Sequence, residues 1–200
     1  MAIKYRAKDI PVAGRTFQRL HGDTRQLLQA LNQWMEQRPQ LRDSYYPKDI
    51  NSNETIDTVL SYDKKLAHFD RSSFMKIFFP LADHKKALFN SQGEVIAVAA
   101  TFPLFHENDY KLEQVYADNF DLALMVLHAL LQDVNATNFS LLTPDETENE
   151  QKFIDFLVKQ ANCSLIKQAH RSYSREFHCP IDWNRVFAMI GRGQIASPLA

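Results

Sequence analysis

Glu113, Tyr116, Asp118 and Asn119 fall in one short stretch, Lys111-Leu-Glu-Gln-Val-Tyr-Ala-Asp-Asn-Phe120. A strand carboxylate such as Glu113 can take a proton from a reacting amine, and a phenol such as Tyr116 can give one back, provided each is held within hydrogen-bond reach. Asp118 and Asn119 are good helix N-caps, and a helix N-terminus offers free N–H groups and partial positive charge to an anion. Farther along, Tyr173 supplies a second hydroxyl, and Arg171 a planar guanidinium able to grip a phosphate or carboxylate through paired hydrogen bonds. Each has a plainer reading. Asp118 is also a simple cap, Glu113 a solvated strand carboxylate, each tyrosine a packing residue with one structural hydrogen bond, and Arg171 the ion-pair partner of Asp63 or Asp118.

Metal and thiol chemistry find less support. The seven histidines are scattered. His170 and His178 share a face of a straight strand, but eight residues at about 3.3 Å each hold them too far apart for one ion. Cys179 follows His178 directly, and neighbouring strand residues face opposite ways. With two cysteines in all, neither a disulfide framework nor a four-cysteine zinc site is expected, and a reducing cytoplasm is the simplest setting.

The element that must position these groups runs from Lys111 to Leu131. Leu112, Val115 and Tyr116 favour a strand, and Phe120 to Leu131 is too continuously apolar for a surface helix, so it must be covered on several sides. Before it, Ala87 to Asn90 and Glu94 to Phe102 read as a hairpin turning through Ser91-Gln92-Gly93. After it, Phe139 to Leu142 reads as a buried strand. The overlapping signatures Thr143 to Glu146 and Thr147 to Glu150 then open a helix carrying Phe153, Ile154, Phe156 and Leu157. Leu165 to Phe177 is β-like but charged at Lys167, Arg171 and Arg175, which reads either as two strands with a bend or as one long edge strand. Asp182 is expected to cap a last helix holding Val186, Phe187 and Met189 and ending at Gly191. Upstream, Ile3 to Val12 allows a short strand, and Asp23 to Arg38 an amphipathic helix ended by Pro39. Gln40 to Asn53 reads as a loop or linker. Glu54 to Leu66 is a short helix, and a second starts at Asp70 with Phe74, Ile77 and Phe78 inward. The resulting division is an N-terminal helical appendage and linker over 1–53 and a main domain over 54–200.

The chain has 200 residues, 45% hydrophobic and 24% charged, which suits one soluble domain with a substantial core. A formal net charge of -1 gives no reason to expect nucleic acid or an anionic membrane surface as partner. The start lacks the apolar core of a signal peptide, and no apolar run reaches a membrane span of about 20 residues. A cytoplasmic location is expected.

Hairpin, strand, long helix, strand, helix, strand is an α+β order, and it resembles the second half of a GNAT acetyltransferase domain. From about Ile56 to Met189 the chain looks like the C-terminal acetyltransferase-like domain of two-domain GNAT proteins. The residues that carry the likeness are Ser61-Tyr62-Asp63, Asp70-Arg71-Ser-Ser-Phe74, Gly93-Glu94-Val95-Ile96, Val115-Tyr116-Ala117-Asp118, Arg171-Ser-Tyr173 and Asp182-Trp183-Asn-Arg185-Val186-Phe187-Ala188-Met189. The resemblance implies a GNAT-like acyl-CoA N-acyltransferase fold, a central mostly antiparallel sheet flanked by helices. Its cofactor is acetyl-CoA, with the pantetheine arm admitted between the Lys111 strand and the Phe139 strand.

The phosphates would lie on the turn, at Val115, Ala117, Asp118, Asn119 and Phe120. Glu113, Tyr116 and Tyr173 would handle protons, and Arg171 would hold a small-molecule or peptide amine substrate. The chain departs from the family pattern in two places. The glycine-rich phosphate turn is replaced by Tyr116-Ala117-Asp118-Asn119-Phe120, which sets a carboxylate where phosphate would sit. The tyrosine that would protonate the thiolate is matched by Phe156, which has no hydroxyl. Two readings follow: an acetyl-CoA-dependent N-acetyltransferase, or a non-catalytic interaction or regulatory module of the same fold. The second predicts a cleft filled by side chains or a homodimer across an exposed sheet edge, and admits a separate catalytic partner.

Overall fold

A computed structural model describes residues 12–104, 109–135, 137–173 and 181–189. The elements in chain order are β1 (Val12–Asp23), α1 (Thr24–Glu36), α2 (Pro39–Arg42), β2 (Tyr46–Asp49), α3 (Asn53–Ala67), α4 (Ser72–Leu81), β3 (His84–Phe89) and β4 (Val95–Pro103). They continue with β5 (Asp109–Ala117), α5 (Phe120–Leu131), β6 (Asn138–Pro144), α6 (Glu148–Lys159), β7 (Ser164–Tyr173) and β8 (Val186–Ala188). One sheet runs β2-β3-β4-β5-β6-β1-β7, with β8 added on β5. Its pairings are antiparallel except β5 with β6, the parallel pair that α5 joins. This is the mixed, mostly antiparallel α+β architecture that the element order implies.

The sheet separates two cores. On one face α1, α5 and α6 cover Leu20, Leu112, Val115, Phe139 and Leu141; on the other, α3 and α4 cover Phe17, Val98, Ala100, Phe102 and Tyr116. Helix α5 is buried along most of its length, from Leu122 to Leu131. The hairpin turns where expected, at Gly93, whose φ of 78° lies in the left-handed region that glycine enters freely.

Several expectations change. Within the segment read as an N-terminal appendage, the described residues 12–53 supply a strand and a helix to the common sheet and core. β1 lies between β6 and β7, pairing Leu20 with Leu141 on one side and with Leu165 on the other, and Leu27, Leu31 and Trp34 of α1 join the core over α5. At Gly22 a side chain would meet Cys163 Sγ at 2.8 Å and Phe139 at 2.9 Å, so the strand seats only because that position is bare. The loop expected over Gln40 to Asn53 contains β2, an edge strand paired with β3. Helix α4 turns Met75, Phe78 and Phe79 inward and leaves Phe74 and Ile77 exposed; apolar residues stand on both sides of the polar arc of Ser72, Ser73 and Lys76, so the sequence does not say which of them turns inward. Of the two candidate starts for α6, Thr147 wins, with a full capping box to Glu150. The helix expected after Asp182 is instead a single 3₁₀ turn, Trp183–Arg185, followed by β8. The short strand read at Ile3 to Val12 lies outside the described residues, apart from Val12 itself.

Candidate functional site at the strand split

Strands β5 and β6 run together only from Asp109 to Leu112 and from Asn138 to Leu141. Beyond Leu112 they part, and the second half of β5 pairs with β8, Val115 opposite Ala188 and Tyr116 opposite Val186. On the far side Met189 donates its backbone N–H to the Leu142 carbonyl at 3.0 Å. The gap between β5 and β6 therefore exists, and β8 fills it. Val186, Phe187, Ala188 and Met189 are all buried, with Val186 and Met189 in one core and Phe187 and Ala188 in the other; two adjacent residues share a face because the β5–β8 ladder shifts register between its two pairs. Phe187 meets Phe153 edge to face, ring centroids 5.4 Å apart.

A bulge sets the side chains of β5. Val98 opposes Tyr116 and Ala100 opposes Glu113, so Gln114 and Val115 together face Ala99, and Gln114 takes up the extra residue with φ 57°. Simple alternation would place Glu113 beside Val115. The bulge instead puts Val115 into the α5 core and brings Glu113 and Tyr116 to one face under α3 and α4. Glu113 is fully buried and paired with Lys111, so it is not the solvated strand carboxylate of the plainer reading. Tyr116 lies beside Arg71, whose guanidinium is 5.6 Å from the ring centroid and grips Asp63 through two bonds of 2.7 and 2.6 Å. Burial above all pushes the Tyr116 hydroxyl up from its ordinary value; Arg71 opposes the shift, while Asp63 and Glu113 add to it. Burial works against the charge of Arg71, and Tyr116 and Asp63 more than offset it. Tyr116 is thus a neutral phenol held in an ion-pair network. Gln114 bonds Met75 Sδ at 3.3 Å.

At the turn, Asn119 is the cap of α5, accepting from the Leu122 N–H at 3.0 Å, which leaves Asp118 for another task. Asp118 pairs with Arg185, the residue that leads into β8. Arg185 lies 4.8 Å from the Tyr62 ring centroid, and the Ile96 carbonyl accepts from both the Tyr62 hydroxyl, 3.3 Å, and the Asp118 N–H, 3.0 Å. Burial, then the Asp118 charge, raise the Tyr62 pKa. Val115 and Ala117 are buried core residues, and Phe120 packs edge to face on Phe156 at 6.5 Å. Arg171 and Tyr173 belong to β7, which β6 and β1 separate from β5. Three strand spacings, about 14 Å, thus lie between their backbone and that of β5. Asp63 and Asp118, weighed as partners of Arg171, pair with Arg71 and Arg185 respectively.

The residues present do not fit an acyl-CoA. Its pantetheine arm would need the backbone of Val115 and Tyr116, which β8 already uses, and its phosphates would meet Asp118. Tyr62, Arg71, Lys111 and Arg185 went unweighed as site residues, although Tyr62, Arg71 and Arg185 stand in the segments that carry the GNAT resemblance. Their spacing along the chain says nothing of which carboxylate each one reaches. Among the described residues no group of three or more His, Cys, Asp or Glu could hold a metal ion, and no helix is long and apolar enough to cross a membrane.

No family model matches the sequence, and no curated protein matches it. Solved structures match its fold. The GCN5-related glucosamine N-acetyltransferase region of a fungal multi-domain GH3 β-N-acetylglucosaminidase superposes with a TM-score of 0.53 at 13% identity, over 78% of this chain and 20% of that one. A GCN5-related N-acetyltransferase from Kribbella flavida has a TM-score of 0.47 at 8% identity, over 86% and 40% of the two chains. Saccharomyces cerevisiae N-myristoyltransferase, solved with myristoyl-CoA, has 0.48 at 10%, over 88% and 54%. The chain thus spans 20%, 40% and 54% of these three proteins. Sheet order, strand split and superposition together give this chain the fold of the GCN5-related N-acetyltransferases.

Proposed function

We propose that this chain is a GNAT-fold domain that works as a non-catalytic interaction or regulatory module and does not transfer acetyl from acetyl-CoA to an amine. The observation that carries the reading is β8 seated in the split between β5 and β6. Its weight can be judged from magnitudes. Taking Val186, Phe187 and Met189 out of the core would cost about 1.5–3 kcal/mol each, roughly 5–9 together. A micromolar ligand gains about 8 kcal/mol in all. An acyl-CoA that had to expel β8 would be left with little or no net affinity. The Asp118–Arg185 pair adds to the case, since it sets a satisfied ion pair where the family places phosphate.

The acetyl-transfer reading draws on one observation of its own, the bulge that brings Glu113 and Tyr116 to one face beside the split. Both side chains are already engaged there, Glu113 with Lys111 and Tyr116 with Arg71, and reaching them requires β8 to leave. Isothermal titration of acetyl-CoA into the folded chain at high micromolar protein separates the two. The expected result is no heat beyond dilution; a saturable heat with a micromolar Kd overturns the proposal.

A further inference from the structure

Helix α4 carries apolar residues on two sides, one in the core and one facing outward. Met75, Phe78 and Phe79 fill the core, while Phe74, Ile77 and Leu81 are 45%, 68% and 65% exposed, with Phe69 at 43% just before the helix. At helical spacing Phe74, Ile77 and Leu81 stand in one arc, bordered by Ser72, Ser73, Lys76 and Pro80. Lys76 is the one charged residue of the helix. An apolar arc of this kind, rimmed by polar residues and uncovered among the described residues, marks a contact face.

We propose that the missing cover is a second copy of this chain, its α4 laid against the first across a two-fold axis. Area is the first argument. The four side chains expose roughly 400 Å² of apolar surface, within the range where the largest patch on a protein is often functional. Homodimer interfaces are about 65% apolar, so such a patch corresponds to about 600 Å² a side, or about 1,200 Å² in all, the lower bound of a specific interface. Charge is the second. Lys76 lies 4.0 Å from Asp57 and Lys64 lies 3.5 Å from Asp70, so neither sign is in excess around the patch. An anionic surface gains nothing there, whereas an identical neutral arc fits. The β2 edge is a poor rival, since it carries Pro47 and Lys48 on an exposed strand, residues that discourage edge pairing. The proposed contact therefore lies on a helix face and not on that sheet edge.

This inference does not depend on whether acetyl-CoA binds, and the two are read in separate experiments, so either can fail alone. Sedimentation velocity of the full chain from low to high micromolar concentration should show the mass rising from one copy to two. Ile77→Lys should raise the dissociation constant about tenfold or more, with the far-UV spectrum and the melting curve unchanged because the position is exposed. Ile77→Cys should form an intermolecular disulfide on mild oxidation, as a residue close to the axis would. A chain that stays monomeric throughout overturns the proposal, as does a dimer indifferent to both Ile77→Lys and Leu81→Lys. So does a monomer that pellets with phosphatidylcholine–phosphatidylserine vesicles, which would put lipid on this face.

Discussion

Phe187→Ala is expected to lower the stability of the chain by about 3–5 kcal/mol, the usual cost of emptying a fully buried phenylalanine site. The loss follows from where β8 lies. Phe187 has no exposed surface, and its ring meets Phe153 of α6 at 5.4 Å. Its strand is pinned on one side to β5 and on the other to Leu142, so the surroundings can close only part of the cavity. For a chain of this size a change of that magnitude lowers Tm by about 6–20 °C. Thermal and urea unfolding followed by circular dichroism check it. A loss below about 1 kcal/mol would mean that β8 sits loosely in the split and that its side chains are not core.

The second large effect is at Glu150. Its carboxylate has no exposed surface and accepts two bonds from Arg15, 2.6 and 2.8 Å, and one each from the backbone N–H groups of Thr147, 2.6 Å, and Glu146, 2.7 Å. It thereby caps α6 and anchors β1, residues 135 apart in sequence. Arg15 is largely buried and lies 4.6 Å from the Trp183 ring centroid, so the same carboxylate also steadies the turn that leads into β8. Glu150→Ala leaves the mostly buried Arg15 guanidinium only the more distant, half-exposed Glu146 carboxylate at 3.5 Å and orphans two helix-terminal donors, and about 2–4 kcal/mol should be lost. Glu150→Gln, which keeps an acceptor oxygen, should cost less. Equal and small effects from both substitutions in a denaturant titration would contradict the geometry.

Much of this architecture is legible in the sequence because it is local. Asp23 before α1, Thr147 with Glu150 at α6, Gly93 in the hairpin and the continuous apolar run of α5 each announce an element through chemistry contained within a few residues. What escapes is pairing over distance. Nothing in Val12 to Asp23 tells that the strand will slot between β6 and β7, since its partners are more than a hundred residues away. β8 reads as a helix because Asp182 is a sound cap, and three residues carry too little periodicity to say otherwise. Its strand character comes from the open edge of β5, a tertiary circumstance that overrides local propensity. The site shows the same division. Glu113 and Tyr116 stand out by type, but their shared face depends on a bulge at Gln114, which ordinary alternation does not reveal. The departures at Asp118 and Phe156 were readable against the GNAT resemblance; that Asp118 is answered by Arg185 was not.

Hydrogen exchange at the Met189 amide tests the closed split most directly, because that N–H is given to the Leu142 carbonyl and bridges β8 to β6. The account predicts that it exchanges as slowly as amides in the middle of the β3–β4 ladder, and equally slowly with saturating acetyl-CoA present. Exchange close to the free-peptide rate, or exchange that quickens as acetyl-CoA is added, would show a strand that leaves the split and would contradict it.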